Sequence, residues 1–75
     1  MWDIITEIEE AIKRNTREIK KFEDSEGNKA YLGETLNNYT IAYFTFRSDT
    51  DRDDIEILID IDEEEFEEKW KEWRG

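Results

Sequence analysis

The chain has 75 residues, with 22 Asp and Glu against 11 Lys and Arg, giving a net charge of −11 at neutral pH. This length allows one domain with one small core, and aromatic residues at 13% of the chain can fill it. The lack of cysteine and histidine excludes disulfides and the usual zinc ligands, and the negative charge disfavours direct binding to nucleic acid or to anionic membranes.

The sequence contains no feature that suggests secretion or catalysis. No apolar run is long enough to predict a membrane span, and Met1-Trp2-Asp3 lacks the basic start of a secretion signal, so we expect a cytoplasmic protein. Ser25 and Ser48 lie in polar segments without a candidate base. We therefore expect no enzymatic activity and no cofactor.

Apolar residues recur every three or four positions in the first third of the chain, which predicts a helix over about residues 3–21. Asp3 can cap its start, and Lys20 and Lys21 suit the negative end of its dipole. The apolar stripe consists of Ile5, Ile8, Ile12, Ile19 and Phe22. These positions also keep a seven-residue repeat with Asn15 in its seam, so a homodimer through this helix is an alternative.

Turn-forming residues at 23–28 predict a loop, and three strands are expected after it. The first, KAYLGETL, is interrupted by Gly33, and a turn at Asn37-Asn38 leads to the central strand, residues 39–47. The third covers residues 55–61. Its alternation predicts two faces, one with Ile55, Ile57, Ile59 and Ile61, the other with Glu56, Leu58, Asp60 and Asp62.

A second helix is predicted after Asp62, which lies at capping-box spacing from Glu65. Phe66, Trp70 and Trp73 follow at helical spacing and form its buried face. The element order is therefore α-β-β-β-α. Short connections favour an α+β fold over residues 1–75, with a three-stranded antiparallel meander and both helices packed on one face.

Acidic residues crowd into residues 48–68, which hold twelve carboxylates and a single base. The glutamates after Asp62 can stabilise a helix start by about 0.3–1 kcal/mol each, as an ordinary solvated face would. That explanation does not cover the acids on the third strand or the aspartates before it. Those aspartates are Asp49, Asp51, Asp53 and Asp54.

A calcium loop is one alternative for the aspartate-rich turn. Asp49, Asp51 and Asp53 match the D-x-D-x-D opening of such a loop. Asp54 then stands where the loop needs glycine, and Asp60 stands where it needs a bidentate glutamate. We therefore predict no metal site.

A binding surface explains the crowding better. On an extended strand Asp60 and Asp62 would lie about 6.6 Å apart, at a rise of about 3.3 Å per residue. A DNA strand advances about 3.4 Å per phosphate, so this row alone has about half that charge density. Together with the turn aspartates and first-turn glutamates at its two ends, it could form a continuous negative strip that fits a groove built for nucleic acid. If Ala42, Phe44 and Phe46 face the helices, Tyr39 and Tyr43 face outward and can serve as aromatic anchors.

The short, strongly acidic chain with this order of elements resembles small phage-encoded inhibitors of bacterial defence nucleases, the anti-CRISPR proteins against Cas9 among them. The resemblance covers composition and element order over the whole chain and no residue motif. It implies a protein that occupies the site where a nuclease reads duplex DNA, with carboxylates in place of phosphates.

We therefore expect a monomeric DNA mimic that inhibits a partner by occupying its basic, nucleic-acid-binding groove, for example that of a CRISPR nuclease. The predicted partner-binding residues are Asp49, Asp51, Asp53, Asp54, Glu56, Asp60, Asp62, Tyr39 and Tyr43. A designed or structural scaffold without catalytic function is a further alternative. The clean helix caps favour it, whereas Asn15 in the apolar stripe and Gly33 within a strand oppose it.

Overall fold

A computed structural model describes residues 4–46 and 54–74. Four strands form one antiparallel sheet in the order β1-β2-β3-β4. The elements in chain order are α1 (Ile4–Asn15), β1 (Arg17–Glu23), β2 (Lys29–Glu34), β3 (Thr40–Phe46), β4 (Asp54–Ile59) and α2 (Glu63–Arg74). The α+β class is confirmed, and the sheet has one strand more than the three predicted.

The additional strand is β1, which occupies the second half of the predicted first helix. The helix ends at Asn15, whose side-chain amide donates to the Ala11 carbonyl at 2.7 Å. The Thr16 hydroxyl donates to the Ile12 carbonyl at the same distance, so both side chains satisfy carbonyls of the last turn. Ile19 therefore lies on a strand, and the homodimer alternative, which needed one continuous apolar stripe, has no basis in this fold.

The main core lies between α2 and one face of the sheet. Phe66, which is fully buried, contacts the rings of Phe22 and Phe44 with centroids 5.5 and 5.3 Å away. Phe22 also stacks on Trp70 at 5.6 Å. The remaining buried members of this cluster are Ala30, Leu32, Ala42 and Ile61. Phe44 points inward as predicted, and Phe66 and Trp70 lie on the buried face predicted for the second helix. The side chains of Phe46 and Trp73, predicted to share these positions, lie outside the structural description.

The other face of the sheet is covered by α1. Alternation along β2 and β3 places Tyr31 and Tyr43 on the side opposite the main core, where they stack at 5.4 Å. The Thr16 hydroxyl, at the end of α1, lies 3.0 Å from the Tyr31 hydroxyl. The prediction that both helices share one face is therefore wrong, because the central strands carry large buried side chains on both faces and each face needs a helix.

The alternation predicted for the third strand stops at Asp60. This residue adopts a left-handed conformation, with φ at 63°, which aspartate tolerates better than most residues. The Asp60 amide donates to the Thr40 carbonyl at 2.8 Å, and the Thr40 hydroxyl donates to the Ile61 carbonyl at 2.6 Å. Ile61 consequently turns into the α2 core, so it does not share a face with Ile57 and Ile59 as predicted.

The predicted turns and helix cap are present. Asp24 accepts backbone hydrogen bonds from Glu26 and Asn28, both at 2.9 Å, in the turn before β2. Asn38 has a φ of 66° in the turn before β3. The Asp62 carboxylate accepts a hydrogen bond from the Glu65 amide at 2.7 Å, which confirms the N-cap of α2. Within the described ranges, neither helix has the length and apolar character needed to cross a membrane.

Candidate partner-binding surface

The two edges of the sheet carry opposite kinds of charge. β1 forms one edge and β4 the other. β1 contains three bases and two acids, whereas residues 54–62, which comprise β4 and the turn after it, contain four acids and no base. The charge polarity along the sequence therefore becomes a polarity across the sheet, with the acidic end at β4.

Three of the predicted binding residues lie on or just after β4 with exposed side chains. Glu56 is in the middle of the strand and pairs with Phe44 of β3, so it projects on the α2 side of the sheet. Asp60 and Asp62 follow in the turn and at the cap of α2. Among the described residues, no lysine or arginine forms an ion pair with any of these three carboxylates.

The first turn of α2 extends the acidic end. Glu64 and Glu65 are exposed, as are Asp60 and Asp62. Glu63 points toward β1, where the Lys20 ammonium lies 3.3 Å from Glu63 and 3.0 Å from Glu67. The hydrogen bond to Glu67 raises the pKa of Lys20 despite some desolvation. The basic side of the sheet thus neutralises one flank of α2.

Exposed apolar side chains of β4 lie on the α1 side of the sheet, the face opposite Glu56. Ile57 is 43% exposed and Ile59 is 67% exposed, because α1 covers the central strands and leaves β4 partly open. Tyr39 lies just before β3 and is 56% exposed. It is two residues from Ile41, which pairs with Ile59. We call Glu56, Asp60, Asp62, Ile57 and Ile59 the β4 surface.

Tyr43 is not part of this surface, contrary to the sequence-based prediction. Only 2% of it is exposed, because it stacks on Tyr31 underneath α1. This burial, with a smaller contribution from the negative charge of Glu9, raises the pKa of the Tyr43 hydroxyl well above its ordinary value. Its role is in packing, and of the two predicted anchors only Tyr39 is exposed.

The aspartate-rich turn falls outside the structural description. Asp49, Asp51 and Asp53 precede the part of the chain where β4 is described, and Asp54 is the first residue of that strand. Within residues 4–46 and 54–74, no group of three carboxylates is placed to hold a metal ion. The acidic site is therefore built here from Glu56, Asp60 and Asp62.

A cleft of about 440 Å³ opens at the far end of α1, beside the turn between β2 and β3. Arg14 and Arg17 line it together with Glu34 and the fully exposed Leu36. The Arg17 guanidinium donates to Glu34 at 3.1 Å, which offsets part of the positive charge. The cleft lies beside the strand end that β1 and β2 share.

Sequence reasoning missed the contribution of the isoleucines to this surface. The alternation of β4 was visible, but it was interpreted as one buried and one solvated face. The strand lies at an edge, and the edge position leaves Ile57 and Ile59 exposed. The predicted meander already placed this strand at an edge. Because β1 was assigned to a helix, the opposite edge was predicted wrongly: β1 forms it, and β2 lies inside the sheet.

Comparisons with known proteins identify no relatives of this chain. No protein-family model matches it, and searches of proteins of curated function and of solved structures found no significant similarity.

Proposed function

We propose that the protein is a monomeric, cytoplasmic, acidic inhibitor whose β4 surface binds the basic, nucleic-acid-binding groove of a partner protein. The observation that supports this proposal is made at one edge of the sheet. Exposed carboxylates that form no ion pair with a described base occur there together with exposed apolar side chains. The resemblance in composition and element order to anti-CRISPR proteins makes a CRISPR nuclease one candidate partner.

The charges favour a basic partner for a physical reason. Glu56, Asp60 and Asp62 carry no neutralising base in the described structure, so their field extends into solvent. Such a field attracts a lysine- and arginine-lined groove, raises the association rate and gives binding a strong dependence on salt. It also repels nucleic acid, so the protein would compete with nucleic acid for the groove and would not bind it.

The exposed apolar side chains supply the affinity and selectivity that charge alone does not give. Ion pairs at an exposed surface are worth about 0–1 kcal/mol each, so a purely electrostatic complex is weak and unselective. Tyr39, Ile57 and Ile59 add apolar area that is already exposed in the free protein. Burial of such area at the centre of an interface is the usual source of tight binding.

A charge-removal experiment tests the proposal. The triple variant Glu56→Gln/Asp60→Asn/Asp62→Asn removes three charges and keeps the backbone preferences, because asparagine tolerates the left-handed conformation and caps helices. The matched control Glu10→Gln/Glu18→Gln/Glu26→Gln changes the net charge equally at exposed positions elsewhere. Binding is measured against purified bacterial DNA- and RNA-binding enzymes, including a Cas9–guide RNA complex, with duplex DNA as competitor.

We expect the unmodified protein to bind at least one of these enzymes, to be displaced by duplex DNA, and to lose affinity steeply as salt rises. The β4 triple variant should bind about tenfold or more weakly than the control variant. Equal losses in both variants would mean that net charge alone is responsible, and binding that duplex DNA cannot displace would contradict the groove model. Either result, or no binding to any enzyme of the panel, would overturn the proposal.

A further inference from the structure

The two edges of the sheet differ in how well they are protected against pairing with another strand. β1 has a bulge between Glu18 and Lys20 and carries Lys20 and Lys21, which are devices that discourage strand addition. β4 pairs with β3 without a shift in register, and residues 54–62 contain no base. No described strand pairs with the outer edge of β4.

The outer edge of β4 offers backbone hydrogen-bonding groups. In an antiparallel sheet, alternate residues of an edge strand direct their N–H and C=O groups away from the sheet. A strand of six residues is about 20 Å long, which is enough for an extended peptide to bind by adding a fifth strand. In this mode, main-chain bonds supply affinity and alternate side chains supply specificity.

The side chains along this edge specify the complementary strand. On the α1 side, Ile57 and Ile59 are exposed and would contact apolar side chains of an added strand. On the α2 side, Glu56 is exposed, forms no ion pair with a described base and would contact a basic side chain. Asp60 and Asp62 add two carboxylates in the turn just after the strand. The edge therefore requires a strand in which apolar and basic residues alternate.

We infer that the partner inserts an extended segment of alternating basic and apolar residues, which pairs with the outer edge of β4 as a fifth strand of the sheet. The inference rests on the proposed function and names the element of the partner that is recognised. A second copy of this chain is the less suitable occupant, because each copy carries a charge of −11 and brings no base in residues 54–62.

The probe for this inference is a nine-residue peptide of alternating lysine and valine, blocked at both ends. A peptide of the same composition with the lysines and valines in separate blocks carries the same charge without the alternation. Two further peptides keep the alternating side chains but have methyl groups on the peptide nitrogens of all the lysines or of all the valines, which removes the donors along one edge of the peptide strand. Binding is followed by amide resonances of the protein in ¹⁵N–¹H spectra.

We expect the alternating peptide to bind and to shift the amide resonances of residues 55–59 more than those of residues 17–23. The block peptide should bind about tenfold more weakly, and so should whichever of the two methylated peptides has lost the donors that face β4. Glu56→Lys and Ile59→Ser should each weaken binding about fivefold or more, whereas their matched controls Glu68→Lys and Ile19→Ser should change it less than twofold. Glu68 and Ile19 are exposed and lie away from β4.

Equal binding of the alternating and block peptides would overturn the inference and leave the proposed function standing, since charge would then act without strand pairing. Shifts centred on β1 would also overturn it. Concentration-dependent shifts at residues 55–59 without peptide, together with a dimer mass in sedimentation equilibrium, would identify a second copy as the occupant. Failure of all peptides would overturn the inference alone, because the enzyme panel tests the proposed function separately.

Discussion

Thr16 lies directly over Gly33. A Cβ atom added to Gly33 would be 2.7 Å from the Cβ of Thr16 and 2.8 Å from a ring carbon of Tyr31. Thr16 cannot turn away without loss of its hydroxyl contacts with the Ile12 carbonyl and the Tyr31 hydroxyl. Gly33 is therefore a position of close approach between the end of α1 and β2, and it does not interrupt the strand as the sequence suggested.

We accordingly expect Gly33→Ala to lower the free energy of unfolding by about 1–3 kcal/mol, the usual cost of overpacking a tight site. Chemical denaturation followed by tryptophan fluorescence measures this loss. In a double variant with Thr16→Gly, which removes the opposing side chain, the loss should be smaller than the sum of the two single losses. An additive result would show that the two residues do not clash.

The buried hydroxyl of Tyr43 predicts a loss of stability at high pH. An unfolded tyrosine releases its proton near pH 10. The pKa of Tyr43 is raised in the folded protein, so the folded state keeps this proton at a higher pH than the unfolded state does. Stability conferred by this group is complete below about pH 10 and declines as the pH rises, by at most about 1.4 kcal/mol per pH unit. The pKa of Lys20 is also raised in the folded protein, so stability declines for the same reason once the pH exceeds the ordinary pKa of lysine.

The measurement is the melting temperature between pH 9 and pH 11.5. Tyr43→Phe should flatten the decline, whatever its effect at neutral pH, because it removes the proton whose release is linked to unfolding. Tyr39→Phe is the matched control, since Tyr39 is exposed and should leave the slope unchanged. Equal slopes in both variants would contradict the assignment of the linkage to Tyr43.

Phe66 connects α2 to the sheet through contacts with Phe22 and Phe44. Truncation to alanine should cost about 3–5 kcal/mol, a large part of the stability of a small domain. Phe66→Leu keeps most of the volume and should cost less, so the protein can still be measured by denaturation. Leu36→Ala, at a fully exposed position, should change stability by less than about 0.5 kcal/mol.

Substitutions of Asp60 test the left-handed turn between β4 and α2. Asp60→Asn and Asp60→Gly should be tolerated, because both residues adopt positive φ easily. Asp60→Val should destabilise by about 1–2 kcal/mol, since a β-branched residue is strained in that conformation. Melting temperatures of the three variants give the comparison, and an equally stable valine variant would show that the turn can relax.

The sequence supported the α+β class, the α2 cap and the turns, because those features depend on local chemistry. Asp62 and Asn38 occupy the positions that their residue types favour in any context. The segment at 17–23 was predicted wrongly, since its helical spacing matched by chance the period of the preceding helix. Its strand conformation depends on Phe22 stacking with Phe66 and Trp70, which are more than forty residues away.

The binding surface was predicted only in part, because some of its features are local and others depend on contacts between distant residues. The charge of Glu56 and Asp60 could be recognised locally, but the burial of Tyr43 depends on which face α1 covers. A strand pattern fixes which residues share a face and says nothing about which helix packs there. The left-handed conformation of Asp60, which turns Ile61 inward, likewise depends on its hydrogen bond with Thr40.

The order β1-β2-β3-β4 means that each strand pairs with its neighbour in the sequence. Few long chain closures are then required before the sheet forms, and low contact order of this kind is associated with fast folding. The first two hairpins can form as soon as their second strands leave the ribosome, before the acidic end has been made.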